Sequence, residues 1–176
     1  MKKLLLFMHV SLDGFVAGPN GEMDWIIADE GIFDLASTRT NEADTALYGR
    51  VTYQMMDSYW PTAADQPGAS KHDIEHSAWY NSVDKVVMSK SMKGKDLKRT
   101  SVISDNLGQR INEIKRGKGK NIIMFGSPGA AHSLMKEDLI DRYWLFVNPI
   151  LLGKGIPLFG NIEQITKLKL HSSQTF

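Results

Sequence analysis

The chain has 176 residues, 42% of them hydrophobic and 23% charged, with a formal net charge of +1 and no cysteine. That length fits one domain with a substantial core, and the balanced charge offers nucleic acid no electrostatic handle. The lack of cysteine excludes disulfides, thiolate metal sites and cysteine nucleophiles, fitting a reducing cytoplasm; no apolar run is long enough to span a membrane, and no small-residue cleavage site follows the short apolar start.

In chain order, residues 3–10 read as a buried strand. The strand runs into SLDGFVAGPNGEMDW, residues 11–25, a stretch too long for a hairpin turn. A loop of this length and composition is either disordered or functional. Residues 28–41 mix apolar and polar positions at helical spacing. Residues 44–48 form a short strand, and Gly49 to Met56 a turn and a helix. Residues 61–70, rich in Pro, Ala, Gly and Asp, read as irregular loop, and 71–82 as helix. DKVVMS, residues 84–89, is a strand, and 100–103 is another. Leu107, Ile111 and Ile114 give 105–116 an amphipathic helix, which KRGKGK terminates with glycine and positive charge. NIIMFG is a buried strand, PGAAHSLMKEDL the helix after it, and RYWLFVNPILL a long apolar strand. Residues 165–172 read as one more strand. Strands alternating with helices predict an α/β layer structure, a largely parallel sheet with helices on both faces, in a single domain over residues 1–176.

In such sheets ligands gather beyond the carboxyl ends of the strands. Three strand ends carry phosphate-binding character. After residues 44–48 come Gly49, Arg50 and Thr52, a tight turn with a fork of donors and a helix start. After 84–89 come Ser89 and Lys90. After 121–125 comes Gly126-Ser127-Pro128-Gly129, with proline suited to the first helical position. Each alone fits a simple turn or a solvated surface charge as well as a ligand contact. Together they point to a phosphorylated nucleotide lying across the sheet edge.

Five motifs occur in order along nearly the whole chain: SLDGFVAG, LYGRVTYQMM with YWP, KVVMSKSM, IIMFGSPGAAHSLM, and LIDRYWLFVNPILLGKGIPLF. On these the chain resembles the dihydrofolate reductase-like superfamily, and most closely the branch containing the reductase domain of the bifunctional riboflavin-biosynthesis deaminase-reductase. The resemblance implies a three-layer αβα sandwich with a mostly parallel central sheet, an antiparallel C-terminal edge, and NADPH as cofactor. It implies cofactor contacts at Ala17, Gly18, Gly49, Arg50, Thr52, Ser89, Lys90, Gly126, Ser127 and Gly129. The 11–25 loop would then cover the nicotinamide, with Asp24 and Trp25 forming part of the substrate wall.

Reduction of a C=N or C=O group needs one hydride and one proton, and the proton can come from a carboxylic acid or from water held by a carboxylate. The candidates are Asp13, Asp24, and Asp29 or Glu30 at the start of the following helix. Asp13 reads first as a cap of its own loop and second as a proton donor. Dihydrofolate reductases carry their acidic residue on that helix, but the helix-to-strand spacing here departs from their pattern, which counts against folate. A phosphoribosyl substrate needs a second phosphate site; Lys71 and His72 are available, though they read as surface residues. The function expected is an NADPH-dependent reductase of a small heterocyclic, carbonyl or imine substrate, pyrimidine-like as in riboflavin biosynthesis. The alternatives are dihydrofolate reduction, a non-catalytic nucleotide-binding protein, and a zinc peptidase through His72, Glu75 and His76, an H-x-x-E-H match without an evident third ligand. No resident metal is expected. The family's last strand has no counterpart after LHSSQTF, and the open sheet edge this leaves predicts a homodimer.

Overall fold

A computed structural model describes residues 1–27, 30–160, 162 and 165–176, the side chain of Glu30 apart. The first strand, β1, covers Leu4–Ser11 and leads into a short β2, Phe15–Ala17. Then come α1 (Glu30–Asn41), β3 (Ala43–Gly49), α2 (Arg50–Tyr59), a 3-10 helix (Trp60–Asp65) and α3 (Lys71–Ser82). The second half runs β4 (Asp84–Met88), β5 (Thr100–Ile103), α4 (Leu107–Arg116), β6 (Asn121–Phe125), α5 (Pro128–Lys136), β7 (Arg142–Asn148) and β8 (Ile156–Pro157).

Six strands make one sheet in the order β5-β4-β3-β6-β1-β7, and every pairing within it is parallel. The antiparallel pairing is a separate two-strand sheet, β2 with β8, which joins the loop after β1 to the C-terminal part of the chain. β1 is apolar on both faces, as a central parallel strand must be. Leu4, Leu6, Met8 and Val10 face a core built with Ile111 of α4 and Ala131 and Leu134 of α5. Phe7 faces the opposite core, with Ile32 and Ala36 of α1, Tyr53 of α2 and Tyr80 of α3. The three-layer sandwich expected from the sequence is therefore present.

Three expectations need adjustment. The 61–70 stretch opens with the 3-10 helix, where Pro61 sits in the first turn. The 142–152 strand stops at Asn148, because Pro149 has no N–H to continue the ladder. Residues 165–176 form no strand: Ile165, Leu168 and Leu170 lie 93%, 64% and 80% exposed, and the segment joins neither sheet.

The amino ends of the strands are tied down by charge. Lys2 Nζ meets Asp44 Oδ1 at 2.6 Å, and the other oxygen of Asp44 accepts the Lys120 N–H at 2.7 Å. Buried Lys115 donates to the Leu139 carbonyl at 2.7 Å and pairs with Asp141 at 2.6 Å. This end of the sheet is closed, and the open chemistry lies at the other.

Candidate active site

β6 stops at Phe125, while β3 continues to Gly49 and β1 to Ser11. The last pairings along β6 are Phe7 with Phe125 on one side and Leu47 with Met124 on the other. Met8 to Ser11 then pair only with β7. A notch is left at the carboxyl end of β6. The chain leaves β3 for α2 on the α1–α3 face, but leaves β6 for α5 on the other face. Adjacent strands with connections leaving on opposite faces form a topological switch point, where such sheets bind ligands.

Two helices start at this notch. The amide of Gly49, the residue before α2, donates to Ser127 Oγ of the β6 turn at 2.9 Å. A Cβ on Gly49 would sit 3.3 Å from Ser127 Cβ and 3.4 Å from Ala130 Cβ, so glycine allows the two turns to touch. Gly126 takes φ +54, and Ser127, with φ 61 and ψ 57, follows it into left-handed backbone. For a non-glycine residue that conformation costs about 1–2 kcal/mol. A Cβ on Gly126 would meet Thr52 Cγ2 at 3.4 Å, which brings Thr52 to the same turn. Neither α2 nor α5 has a side-chain cap on its first N–H groups. Two uncapped helix starts joined side by side form a positive, donor-rich cradle suited to linked phosphates. The space over Gly129 is empty to 4 Å, so among the described residues none requires glycine there, and a ligand can approach the backbone. Arg50 is exposed at the mouth, its Nη1 donating to Gln54 Oε1 at 2.9 Å.

Ser89 follows Met88, which pairs with Gly49. Its N–H donates to the Ile103 carbonyl at 2.9 Å, and its hydroxyl accepts the Met92 N–H at 3.2 Å. Ser89 thus closes its own turn, and Lys90 stands exposed beside it. All three predicted strand ends lie on neighbouring strands along one rim.

The loop after β1 is a structured element. Ser11 Oγ donates to Asp13 Oδ1 at 2.6 Å and accepts the Phe15 N–H at 2.9 Å. Asp13 also accepts the amides of Leu152 at 3.2 Å and Gly153 at 2.7 Å. These bonds, the Ser11 hydroxyl first, hold the Asp13 carboxyl below its usual range. Ala17 and Gly18 are buried, and Gly18 closes a turn by donating to the Glu22 carbonyl at 2.9 Å. Trp25 is half-buried, its Nε1 donating to the Glu22 carbonyl at 3.1 Å, and Asp24 beside it is exposed. The Ile27 amide donates to Asn148 Oδ1 at 2.9 Å, which seats the loop's end on the carboxyl end of β7. Asp29 lies outside the described residues; Glu30 opens α1, and its side chain lies outside them too.

The RibD C-terminal domain matches residues 2–176. The chain belongs to the RibD C-terminal domain family. It is 33% identical to the uncharacterized protein YyaP of Bacillus subtilis (strain 168), over 99% of this chain and 89% of that one. With YwjB of the same organism, also uncharacterized, it shares 30% identity over 99% of this chain and 92% of the relative. Its fold superposes on a Shewanella sp. PV-4 protein whose name assigns it to riboflavin biosynthesis, with a TM-score of 0.69 and 25% identity, covering 98% of this chain and 91% of that one. It also superposes on the diaminohydroxyphosphoribosylaminopyrimidine deaminase/5-amino-6-(5-phosphoribosylamino)uracil reductase of Thermotoga maritima, with a TM-score of 0.62 and 15% identity. There it covers 96% of this chain and 51% of that protein, a likeness of fold. The resemblance read from the five motifs holds, and family membership supports a reductase of this type.

In this member of the RibD C-terminal domain family, two features of the site escaped the motif reading. His9 stacks on Phe146 with centroids 4.9 Å apart and planes 24° apart, and its buried Nδ1 has no hydrogen-bond partner. Burial lowers its pKa, so a neutral imidazole stands on the strand that borders the notch. Buried Asn148 turns its amide inward to the Phe146 carbonyl at 3.0 Å. The only sequence signal was a histidine interrupting an apolar strand. The H-x-x-E-H match, in contrast, is part of the packing. His72 stacks on Phe33 with centroids 4.3 Å apart, His76 packs on Trp60 at 4.1 Å, and Glu75 accepts from Ser37 Oγ of α1 at 3.1 Å. Among the described residues no three metal-ligating side chains converge.

Proposed function

We propose that the chain is an NADPH-dependent reductase that delivers hydride to a small heterocyclic, carbonyl or imine acceptor. The observation that carries this reading is the pair of uncapped helix starts held together at the switch point by the Gly49–Ser127 hydrogen bond. The residues fit the cofactor: the open backbone at Gly129 gives a pyrophosphate room to approach. Arg50, Thr52, Gly126, Ser127 and Gly129 form its cradle. Arg50 with Ser89 and Lys90 supplies donors and positive charge for a ribose phosphate, the basis for NADPH over NADH. Ala17 and Gly18 line the nicotinamide end. When bound, the dihydronicotinamide supplies the hydride.

The protein's own work is to orient and to manage the proton. Asp13, engaged by Ser11, Leu152 and Gly153, anchors the loop across the sheet edge. Trp25 and Asp24 bound the acceptor side, and Asp24 and Glu30 are the carboxylates assigned to holding a water or a proton there. A pyrimidine-like acceptor follows the name of the Thermotoga maritima neighbour. The same reading takes the chain as a homodimer, because β7 is an open edge strand and the apolar residues of 165–170 stand exposed.

The test is a titration with NADPH and NADH, repeated on Arg50→Ala. A charge-assisted hydrogen bond is worth about 1.5–3 kcal/mol, so NADPH affinity should fall roughly ten- to hundredfold and NADH affinity much less. Equal affinities of the wild-type chain for the two nucleotides would overturn the preference for NADPH, and NADPH binding unchanged in the variant would remove Arg50 from the site. NADPH oxidation measured against pterins, pyrimidines, and small carbonyl and nitro compounds then identifies the acceptor class.

A further inference from the structure

We propose that Ser127 is a positioning residue, a clasp that fixes the spacing of the two phosphate turns, and that its hydroxyl is not itself a ligand of the phosphates. The inference rests on the cofactor reading above and says how that site is held. Ser127 is buried, and both capacities of its hydroxyl are engaged within the chain. Its Oγ accepts the Gly49 N–H at 2.9 Å and donates to the Phe125 carbonyl at 3.4 Å. It therefore spans the end of β3, the end of β6 and the start of α5. The Gly49 amide, taken up by this bond, is unavailable to a phosphate. The donors left for one are the first N–H groups of α2, at Arg50 to Thr52, and those of α5, at Gly129 and Ala130.

Ser127 also adopts left-handed backbone, with φ 61. A strained residue at a functional site persists when its surroundings over-determine it. Here the Gly49 bond, the Phe125 bond and the Ala131 N–H donating to the Ser127 carbonyl at 2.9 Å do so. Among the described residues the Ser127 hydroxyl supplies the side-chain hydrogen bond between the α2 start and the α5 start. Without it packing alone holds their spacing, so a ligand that engages both must bear more of the cost of fixing them.

Ser127→Gly separates the hydroxyl from the strain, since glycine accepts this backbone freely. Two ligands are compared: NADPH, which reaches both turns, and adenosine 2′-phosphate, which lacks the pyrophosphate. In the variant the Gly49 amide should exchange about tenfold faster with deuterium. The NADPH Kd should rise about tenfold, while the adenosine 2′-phosphate Kd stays within about twofold. Ser127→Ala, which keeps the strain and lacks the hydroxyl, should shift the ligands in the same ratio. An unchanged Gly49 amide overturns the clasp, and so does an equal loss for both ligands or undiminished NADPH binding with the Gly49 amide freed. If the wild-type chain binds neither ligand, the cofactor reading fails, and with it the clasp's part in binding; Gly49 exchange still reports separately whether the bond itself holds the turns.

Discussion

On α3, the His76 ring packs between Trp60 and Trp79, with centroids 4.1 and 5.1 Å away. Burial first, and the neighbouring His72 second, push its pKa down to about 3, although Asp73 pulls the other way. The unfolded chain takes up this proton near the ordinary value of about 6.5, so below that pH it binds more protons than the native state. His76 therefore leaves stability intact above about pH 6.5 and erodes it as pH falls, by at most about 1.4 kcal/mol per pH unit until the native pKa is reached. Urea unfolding at pH 7 and at pH 5 should show this loss, and His76→Phe should flatten it. A wild-type profile level over that range would mean that His76 is not held neutral. Asp13 makes the same point about residues: its sequence position fitted a cap or a proton donor, and the amides of Leu152 and Gly153, distant in sequence, fill its acceptor sites.

Periodicity sets the larger elements. The helix read over 71–82 is α3, and the strand read over 100–103 is β5. In α4 the apolar residues at 107, 111 and 114 form one face, and Ile111 is fully buried against the β1–β6 layer. Ile111→Ala should destabilise the fold by about 2–5 kcal/mol, read as a lower urea midpoint at an unchanged slope. A loss under about 1 kcal/mol would mean that α4 is not seated on that core. Within the 165–172 segment Lys167 to Leu170 alternate lysine and leucine as a strand does, yet the segment pairs with neither sheet, since an alternating pattern fixes a face and not a partner. β7 stops at Asn148 because of a proline within its apolar run, a local signal outweighed by the length of that run.

As a whole molecule, the sheet presents β5 and β7 as its edges, and among the described residues β7 has β1 on one side and no strand on the other. If 165–170 and this edge join two copies, light scattering should give twice the 19.7 kDa chain mass at micromolar concentration. Leu168→Glu with Leu170→Glu should reduce it to the single-chain mass; a monomeric wild-type chain would overturn the dimer. The α/β class, the element order and the glycine-bearing turns at 49, 126 and 129 follow from local spacing and backbone chemistry, so the sequence by itself determined them. The strand order could not be read there, because each pairing joins residues far apart in the chain. Tertiary structure alone decided that β6 ends short of β1 and β3, that Ser127 reaches Gly49, that His9 lies on Phe146 and that the H-x-x-E-H histidines are packing residues. Each of these depends on which side chains meet across layers, which burial and register settle and local pattern does not.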